Sequence, residues 1–380
     1  MHGFLLLKLS HARKPRGSAP MTGIIVVFLA TAASSGAAVA LLIRLAHKRS
    51  WFDRGGERRV HSGNVPRLGG LGFVPVFLIA AAAIMLLFSR VDSFARFLPV
   101  LAAAAAIALF GVLDDFRSMR PLFKLLVQTA AALCVVGSGY AFRRVAFFGE
   151  GLFLQQFPWA AYAVTVLWLV GMTNAMNIID GVDALAGGLS LMAALAFAYI
   201  FSRYAGLSSS VMICVALAGA LAGFLAFNAP FPRARIFMGD GGSQFLGFTL
   251  ALLPLLEARY TTATLPALYA AGILAIPVMD TAAAIWRRLR DGRSVSSPDK
   301  AHTHHKLMNL GLSARQVCAV LLGLQAAVSA LVVASLKLAD GAPSLAALAL
   351  AYLLALAFFG ALHFANRKAM RARKSAEPSP

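Results

Sequence analysis

Long apolar runs alternate with short polar segments along the whole chain. Each run is close to the roughly 20 residues that a helix needs to cross the hydrocarbon core of a bilayer. The pattern therefore predicts an all-α polytopic membrane protein with about 11 transmembrane helices. The predicted crossings are 22–46, 68–88, 97–113, 121–140, 158–176, 184–206, 209–228, 241–257, 263–285, 316–338 and 344–365.

The predicted domain organisation is simple. One integral membrane domain covers 22–365, with an N-terminal extension over 1–21 and a basic, disordered cytoplasmic tail over 366–380. The segment 143–157 has β-type residues around a Gly-Glu-Gly sequence, which predicts a short β-hairpin on the outer face.

Composition supports a lipid-solvated bundle. Of all residues, 59% are hydrophobic, and the mean hydropathy is +0.75, which exceeds what a soluble domain needs. Alanine, glycine and serine are frequent within the apolar runs, as suits close helix packing in lipid.

The net charge of +20 would suit nucleic acid, but its distribution argues for membrane topology. Alternate loops, beginning with 47–67 and ending with the tail after 365, carry twenty-three Lys and Arg, against seven in the other loops. Positively charged loops stay in the cytoplasm, so the first set and the carboxyl terminus are predicted to be cytoplasmic. The four basic residues before position 21 run against this orientation. No nucleic-acid partner is expected.

Three polar clusters stand at the ends of apolar segments and a fourth lies in a long basic loop, all in the predicted cytoplasmic set of loops. The chain has only 15 Asp and Glu, and charge at a membrane edge is costly unless it is solvated, paired or bound to a metal. The clusters are Asp114-Asp115, the run from Asn174 to Asp183, Gly239-Asp240, and His302-Thr-His304-His305.

The run from Asn174 to Asp183 has polar residues spaced by three. On a helix, Asn174, Asn177 and Asp180 span about 120° of one face. Gly181 lets the chain leave the helix, so that Asp183 folds back beside Asp180. Two amides and two carboxylates at a helix end suit phosphate, sugar hydroxyls and Mg²⁺. Ordinary helix capping would explain one of these residues, not four.

Two further acidic clusters indicate charge neutralisation. The adjacent Asp114 and Asp115 repel each other unless a cation lies beside them, either Lys124 or a divalent metal; a solvated helix end is the alternative. The glycines around Asp240 at a helix start let backbone N–H groups approach an anion, with Asp240 placed to hold a metal. A simple tight turn is the alternative there.

Three histidines in four residues suggest a transition-metal site or a set of phosphate donors. The carboxylates elsewhere are typical of a hard-cation site, which favours His302, His304 and His305 as phosphate donors. A surface histidine run without a role is the remaining alternative.

Together, these motifs resemble the polyprenyl-phosphate N-acetylhexosamine-1-phosphate transferases of glycosyltransferase family 4, over about residues 50–315. The final motif is similar to that of the UDP-N-acetylglucosamine:undecaprenyl-phosphate branch, not to the longer histidine run of the muramoyl-pentapeptide enzymes. Ala184 departs from the usual glycine of the family. The matching motifs are Val65–Gly70, Asp114-Asp115 with Arg120-Pro121, Lys124 and Gln128, Thr173–Asp183, Phe237–Ser243 and His302–His305.

The resemblance implies transfer of N-acetylhexosamine-1-phosphate, most simply GlcNAc-1-phosphate, from UDP-HexNAc to undecaprenyl phosphate, with release of UMP. It implies Mg²⁺ as cofactor, with Mn²⁺ as a substitute, and a product that initiates a cell-surface polysaccharide such as O-antigen or teichoic acid. The implied location is the cytoplasmic face of the bacterial inner membrane, in contact with membrane lipid, and the implied assembly is a homodimer.

The resemblance also implies residue roles. Asp114, Asp115, Asp180 and Asp183 would be catalytic, and Asp240 with Asp115 would hold the metal. Direct attack by the lipid phosphate and a carboxyl-phosphate intermediate both remain open. The implied nucleotide-sugar and phosphate ligands are Lys124, Asn174, Asn177, Asn228, Phe237, Gly239, Ser243, His302, His304 and His305.

Three other functions compete with this one. A phospho-N-acetylmuramoyl-pentapeptide-type transferase would share most of the motifs, and a membrane hydrolase of lipid diphosphates would share the metal chemistry. A cation-coupled transporter would place its acids within broken helices near the midplane, whereas here they lie at helix ends.

Overall fold

The structure is a computed structural model that describes residues 21–51, 65–89, 91–142, 145–147, 150–152, 157–205, 207–229, 233–257, 267–294, 297, 299, 301–338 and 342–376. Apart from Met21, the predicted N-terminal extension lies outside these residues. The described part of the chain is almost entirely helical. Its helices are α1 (Met21–Arg49), α2 (Gly69–Phe88), α3 (Val91–Phe116), α4 (Pro121–Gly137), α5 (Pro158–Ile179), α6 (Leu185–Ala205), α7 (Ser209–Asn228), α8 (Gly239–Glu257), α9 (Ala267–Ile273), α10 (Ala275–Arg290), α11 (Thr303–Asn309), α12 (Ala314–Lys337) and α13 (Ala342–Ala376).

The helices confirm the predicted all-α membrane protein. Among the described residues, eight helices are long and apolar enough to cross a membrane, and the bent pair α9–α10 adds a ninth. The shorter apolar helix α4 and the buried helix α8 match the two remaining predicted segments. The structure is thus compatible with eleven crossings.

The predicted outer hairpin is present. Strand β1 (Val145–Phe147) pairs antiparallel with β2 (Glu150–Leu152), and Val145 lies opposite Leu152. The hairpin follows α4 and precedes α5, so it lies at the opposite end of the bundle from Asp114-Asp115 and Asp180.

Helices α7 and α8 form the centre of the bundle. α7 packs against α1, α2 and α6, whereas α8 packs against α3 and α5. Apolar side chains of both central helices, such as Phe224 and Phe248, are fully buried. The outer helix α1 instead exposes large apolar residues such as Leu29 and Leu41, as a lipid-facing helix does. The amino end of α8 is therefore surrounded by other helices.

The predicted crossing at 263–285 is broken rather than continuous. Helices α9 and α10 meet at Leu274 with a bend of 96°. The buried amide of Gln325 on α12 accepts the N–H of Ile276 at 3.2 Å and donates to the carbonyl of Ile273 at 2.8 Å. This side chain satisfies backbone groups that a helix break leaves unpaired in an apolar interior.

The prediction of a disordered tail from residue 366 is wrong as far as 376. Helix α13 continues to Ala376 over 35 residues. At 1.5 Å per residue it is about 50 Å long, which exceeds a hydrocarbon core of about 30 Å. Its end packs beside α11, where the Asn309 amide donates to Asn366 Oδ1 at 3.2 Å.

Candidate active site at the start of helix α8

The amino end of α8 is enclosed by backbone from two neighbouring helices. A Cβ added to Gly111 of α3 would lie 2.6 Å from both the Asp240 carbonyl oxygen and the Gly241 Cα. A Cβ added to Gly70 of α2 would lie 2.5 Å from the Gly242 nitrogen. Real Cβ atoms do not approach backbone so closely, so glycine is required where these helices meet.

The segment that precedes α8 pairs with the segment that precedes α2. The Phe237 N–H donates to the Pro66 carbonyl at 2.8 Å, and the N–H groups of Gly69 and Gly70 donate to the carbonyls of Phe237 and Met238, both at 2.9 Å. The two motifs around Arg67 and Asp240 are consequently one structural unit. Phe237 is half-buried beside it.

Asp115 caps helix α8 from the neighbouring helix α3. Its Oδ1 accepts the N–H of Asp240 at 2.9 Å, and its Oδ2 accepts the N–H of Gly241 at 3.2 Å. A carboxylate at a helix amino end is favourable because it pairs orphan N–H groups and opposes the helix dipole. The N–H groups at this helix start therefore do meet an anion, but that anion is the carboxylate of Asp115.

Two cations and two carboxylates meet beside this cap. Lys124 Nζ forms an ion pair with Asp114 Oδ2 and lies 3.7 Å from Asp240 Oδ2. Arg67 lies 3.9 Å from the other oxygen of Asp240. Asp114 is buried and also accepts the Met119 N–H at 2.7 Å, whereas a quarter of the Asp240 side chain is exposed. Asp240 is therefore the carboxylate of this group that a ligand reaches.

The amides of helix α5 connect to α4 and α8. The Asn174 amide donates to Gln128 Oε1 at 2.7 Å, and the Gln128 amide donates to Gln244 Oε1 at 3.2 Å. Asn177 donates to Ser243 Oγ at 2.9 Å. The predicted shared face of Asn174 and Asn177 is present, but both amides also serve as links between helices.

Helix α5 ends at Ile179, directly before the predicted carboxylates. Asp180 forms the C-cap of α5 and is half-buried. Burial raises the pKa of Asp180 well above its usual value, and the neighbouring carboxylates of Asp240, Asp115 and Asp183 raise it further. Asp180 thus lies near Asp183, as the spacing predicted, and also near Asp240.

Asn228 acts as a bridge between chain segments. Its Oδ1 accepts the N–H of Ala184 at 2.9 Å, and its Nδ2 donates to the carbonyl of Ile236 at 2.9 Å. The side chain is buried, and the oxygen and the nitrogen of its amide are both hydrogen-bonded to backbone. Ala184 itself has φ of +64°, a left-handed conformation that glycine adopts more easily.

The histidine motif is anchored by Asp280, a buried carboxylate of α10. Asp280 Oδ2 lies 2.8 Å from His302 Nδ1, and Asp280 Oδ1 accepts the N–H and the hydroxyl of Thr303 at 2.8 and 2.5 Å. Asp280 is 1% exposed. These contacts fix the first turn of α11 against α10; we call Asp280, His302 and Thr303 the histidine clamp.

His304 joins the histidine motif to the carboxylate region. Its imidazole lies so close to Gly181 that a Cβ at position 181 would collide with the ring. Burial, with the nearby His305 and His302, lowers the pKa of His304 to about 4, against Asp280, which raises it. His304 is therefore neutral at pH 7, whereas the adjacent His305 is exposed.

An ion pair orders the loop before the histidines. Arg287 Nη2 lies 2.6 Å from Asp299 Oδ2, and Asp299 Oδ1 accepts the Ala301 N–H at 2.8 Å. Burial raises the pKa of Asp299, but the Arg287 and Ala301 contacts outweigh it and hold that pKa below its usual value. Lys306, on α11, is 5% exposed, and its burial lowers its pKa.

The structure brings all four sequence clusters to one end of the bundle. Their catalytic and binding roles stay predictions. Arg67 and Gln128 fall within the predicted motifs but received no role, and Gln244 and Asp280 were missed altogether. The first two could have been included because they belong to the resembling motifs; Asp280 carries no local signal beyond being an acid inside an apolar segment.

Comparison with known proteins identifies the family of this chain. The family described as glycosyl transferase family 4 matches residues 97–257. A Bacillus subtilis protein named "probable undecaprenyl-phosphate N-acetylglucosaminyl 1-phosphate transferase" is 34% identical over 319 residues, which cover 83% of this chain and 86% of that relative.

Two other relatives are similar to this chain over a smaller share of its length. The Mycolicibacterium smegmatis "decaprenyl-phosphate N-acetylglucosaminephosphotransferase" is 34% identical over 68% of this chain and 69% of its own length. The Escherichia coli K12 "undecaprenyl-phosphate alpha-N-acetylglucosaminyl 1-phosphate transferase" is 29% identical over 76% of this chain and 77% of its own length. With the carboxylates, amides and histidines gathered at one end of a membrane bundle, this chain belongs to glycosyl transferase family 4.

Proposed function

We propose that this protein transfers GlcNAc-1-phosphate from UDP-GlcNAc to undecaprenyl phosphate and releases UMP. The observation that carries the proposal is the meeting of Asp114, Lys124, Arg67 and Asp240 at the start of α8. The names of the relatives support the N-acetylglucosaminyl 1-phosphate group and the undecaprenyl-phosphate acceptor. An oxygen of the lipid phosphate attacks the β-phosphorus, and the bond from that phosphorus to the bridging oxygen breaks, so that UMP leaves.

Positioning and charge neutralisation are the main demands of phosphoryl transfer. Lys124 and Arg67 are the cations that would bind phosphate oxygens, because both reach Asp240, the most accessible acid of the group. Asp114 holds the Lys124 ammonium in place by its ion pair. Asp115 contributes by fixing the start of α8, and thereby the direction of Asp240.

Magnesium is the cofactor that the resemblance implies, and the residues present fit it. Mg²⁺ commonly takes one or two carboxylates and completes its shell with water and substrate phosphate. Asp240, a quarter of whose side chain is exposed, can supply one such carboxylate. Both oxygens of Asp115 accept backbone N–H groups, which makes Asp240 the better candidate of the two proposed metal ligands. When bound, the ion would neutralise diphosphate charge; Mn²⁺ would substitute for it.

The nucleotide-sugar would lie between α5 and α11. Asn177, Asp180 and Asp183 border this region on one side. His304, neutral at pH 7, and the exposed His305 border it on the other. A neutral imidazole donates one hydrogen bond and adds no charge beside the carboxylates. Since Asn228 is already bonded to backbone, Phe237 is the better candidate of the two for a uracil contact.

The setting of the reaction is part of the same proposal. The carboxylate end of the bundle faces the cytoplasm of a bacterial inner membrane, where nucleotide-sugars are found and the lipid phosphate is anchored. The product would initiate a cell-surface polysaccharide. A homodimer is proposed from the family resemblance alone.

Exchange of labelled UMP into UDP-GlcNAc tests the reaction. Purified protein with undecaprenyl phosphate and Mg²⁺ should catalyse exchange, and chelation by EDTA should stop it until Mg²⁺ is restored. UDP-N-acetylgalactosamine and the muramoyl-pentapeptide nucleotide serve as alternative donors. Exchange with none of these donors would refute the proposed function, and exchange that persists in EDTA would refute the metal requirement.

A reporter fused after Arg373 tests the orientation. The excess of Lys and Arg in its set of loops predicts a cytoplasmic carboxyl terminus. A cytoplasmic reporter such as green fluorescent protein should therefore be active, and alkaline phosphatase should be inactive. The opposite pattern would invert the proposed topology.

A further inference from the structure

A cavity of about 480 Å³ lies between α1 and α7, beside the start of α8. Its charged or titratable lining consists of Arg44, His47 and Arg235, and none of the described residues that line it is acidic. The remainder of the lining is apolar and includes Ile43 and Phe227. We call this the α1–α7 cavity. None of the roles proposed for the transfer reaction uses it.

The α1–α7 cavity lies where a lipid headgroup meets the bundle. Helix α1 is a candidate membrane span, and only 17% of its most apolar stretch is buried inside the bundle. Leu41 and Leu45, next to the cavity, are more than one-third exposed. Trp51 follows the end of α1 and is also exposed, a position typical of an aromatic anchor at the membrane interface. An acyl chain can therefore lie along α1 while its headgroup enters the cavity.

We propose that the α1–α7 cavity binds the phosphate headgroup of an anionic phospholipid. Arginine guanidinium groups suit phosphate because they donate several hydrogen bonds in a fixed geometry. His47 Nδ1 lies 2.7 Å from the Ile43 carbonyl, which places the proton on Nδ1 and orients the ring. The combination of two arginines, an oriented imidazole and an apolar wall matches a headgroup that remains attached to its chains.

The α1–α7 cavity differs from the other basic surface at this end of the bundle. A smaller cavity of about 290 Å³ is lined by Phe364, Arg367, Lys368 and Arg371, all from helix α13. Cations on one helix attract anionic lipid in general. The α1–α7 cavity instead takes its cations from two separate chain segments, which gives it a shape of its own.

The walls of the α1–α7 cavity continue into the candidate active site. The Arg235 N–H donates to the Phe227 carbonyl at 2.8 Å, and two residues later Phe237 donates to Pro66. A bound phospholipid would thus stabilise the segment that precedes α8. The proposal concerns lipid binding and does not depend on the transfer reaction.

Native mass spectrometry of the full-length protein tests the proposal. Delipidated protein is mixed with phosphatidylglycerol or phosphatidylcholine, and the retained lipids are counted. The wild type should retain phosphatidylglycerol in preference, and Arg44→Gln should weaken retention about fivefold, the equivalent of about 1 kcal/mol per cation at a membrane surface. The double variant with Arg235→Gln should lose it. Arg371→Gln and Arg203→Gln are the matched controls and should retain the lipid.

Two additions keep the result decisive. Ala40→Phe fills the cavity without removing a charge and should also abolish retention of phosphatidylglycerol. The proposal can therefore be tested even if an arginine variant fails to fold. Inorganic phosphate and undecaprenyl phosphate are added as competitors and should not displace the lipid at equal concentration. Equal retention by wild type and double variant, or displacement by either competitor, would overturn the proposal.

Discussion

The start of α8 and the histidine clamp are held in place by different forces. Around α8, backbone meets backbone across Gly70, Gly111 and Gly241, and a single added methyl group would collide. At the clamp, α10 and α11 are joined by hydrogen bonds to one carboxylate, Asp280. The first region is therefore sensitive to volume, and the second is sensitive to charge and hydrogen-bonding capacity.

This difference separates two ways of building one site. Close packing through glycine sets the position of Asp240 to within the tolerance of helix backbones, and the Asp115 side chain adds the cap. The clamp instead positions His302 through the side chain of Asp280, which is buried and hydrogen-bonded at both carboxylate oxygens. Burial makes each hydrogen bond costly to lose, because the unpaired group has no water to replace its partner.

The largest effect is expected at the carboxylate that a ligand reaches. Asp240→Asn should lower UMP exchange by about 10³-fold, because it removes the charge that we propose to act on the diphosphate. The variant should insert and elute like the wild type. Asp92→Asn, an exposed acid in the first turn of α3 at the other end, is the matched control and should retain activity. Near-normal exchange by Asp240→Asn would remove Asp240 from the site.

Glycine packing around α8 can be broken by one methyl group. Gly111→Ala should destabilise the protein by about 1–3 kcal/mol, the usual cost of overpacking, and should lower activity by displacing Asp240. Thermal unfolding in detergent measures the change. Gly323→Ala, at a helix position where no atom of the described residues lies within 4 Å of the added Cβ, should be neutral or slightly stabilising. Equal behaviour of the two variants would contradict the packing argument.

The histidine clamp can be disrupted by removing the charge of Asp280 while the volume of its side chain stays nearly the same. Asp280→Asn should lower exchange about 10- to 100-fold, comparable with the loss of a partner that orients a functional histidine. Asp280→Glu keeps the carboxylate and should retain more activity. The decisive measurement is a double-mutant cycle with His302→Gln: if Asp280 acts through His302, the two losses will be less than additive. Fully additive losses would show that Asp280 acts elsewhere.

A smaller effect, a gain in stability, is expected at Ala184, directly before α6. Ala184 has a left-handed backbone, which costs an L-residue about 1–2 kcal/mol relative to glycine. Ala184→Gly should therefore raise the free energy of unfolding by about 1 kcal/mol. Ala196→Gly, in the interior of α6, should lower it by about 0.5–1 kcal/mol because helix-interior glycine is unfavourable. Destabilisation by both variants would indicate that Ala184 is not strained.

His304 should make the stability of the protein depend on pH. Its folded pKa of about 4 lies below the ordinary value of 6.5, so between these values the unfolded chain binds a proton that the folded chain does not. Stability should therefore fall as pH decreases from 6.5 toward 4. His304→Gln should reduce this slope in thermal unfolding, whereas His305→Gln, at the exposed neighbouring position, should retain it. An unchanged slope in His304→Gln would contradict the burial of a neutral imidazole.

Much of the architecture followed from the pattern of apolar residues. The eleven apolar segments predicted the helices because membrane-spanning length is a local property. The break at Leu274 was not predicted, although Gly272 and Pro277 flank it. The structure shows that Gln325 of α12 pairs the backbone groups that the break leaves free. The helical continuation of α13 beyond residue 366 was also missed. At the start of that segment, Asn366 of α13 is hydrogen-bonded to Asn309 of α11.

The sequence alone determined which residues are candidates for chemistry. Acids are rare in this chain, and a carboxylate at an apolar boundary is costly, so the positions of Asp114, Asp180 and Asp240 along the chain were enough to single them out. Only the tertiary structure decided how such groups divide the work. Asp115 is occupied as the cap of α8, Asn228 is occupied by backbone, and Asp280 holds His302. The physical reason is that hydrogen-bond partners distant in sequence come from helix packing, which leaves little trace in local spacing.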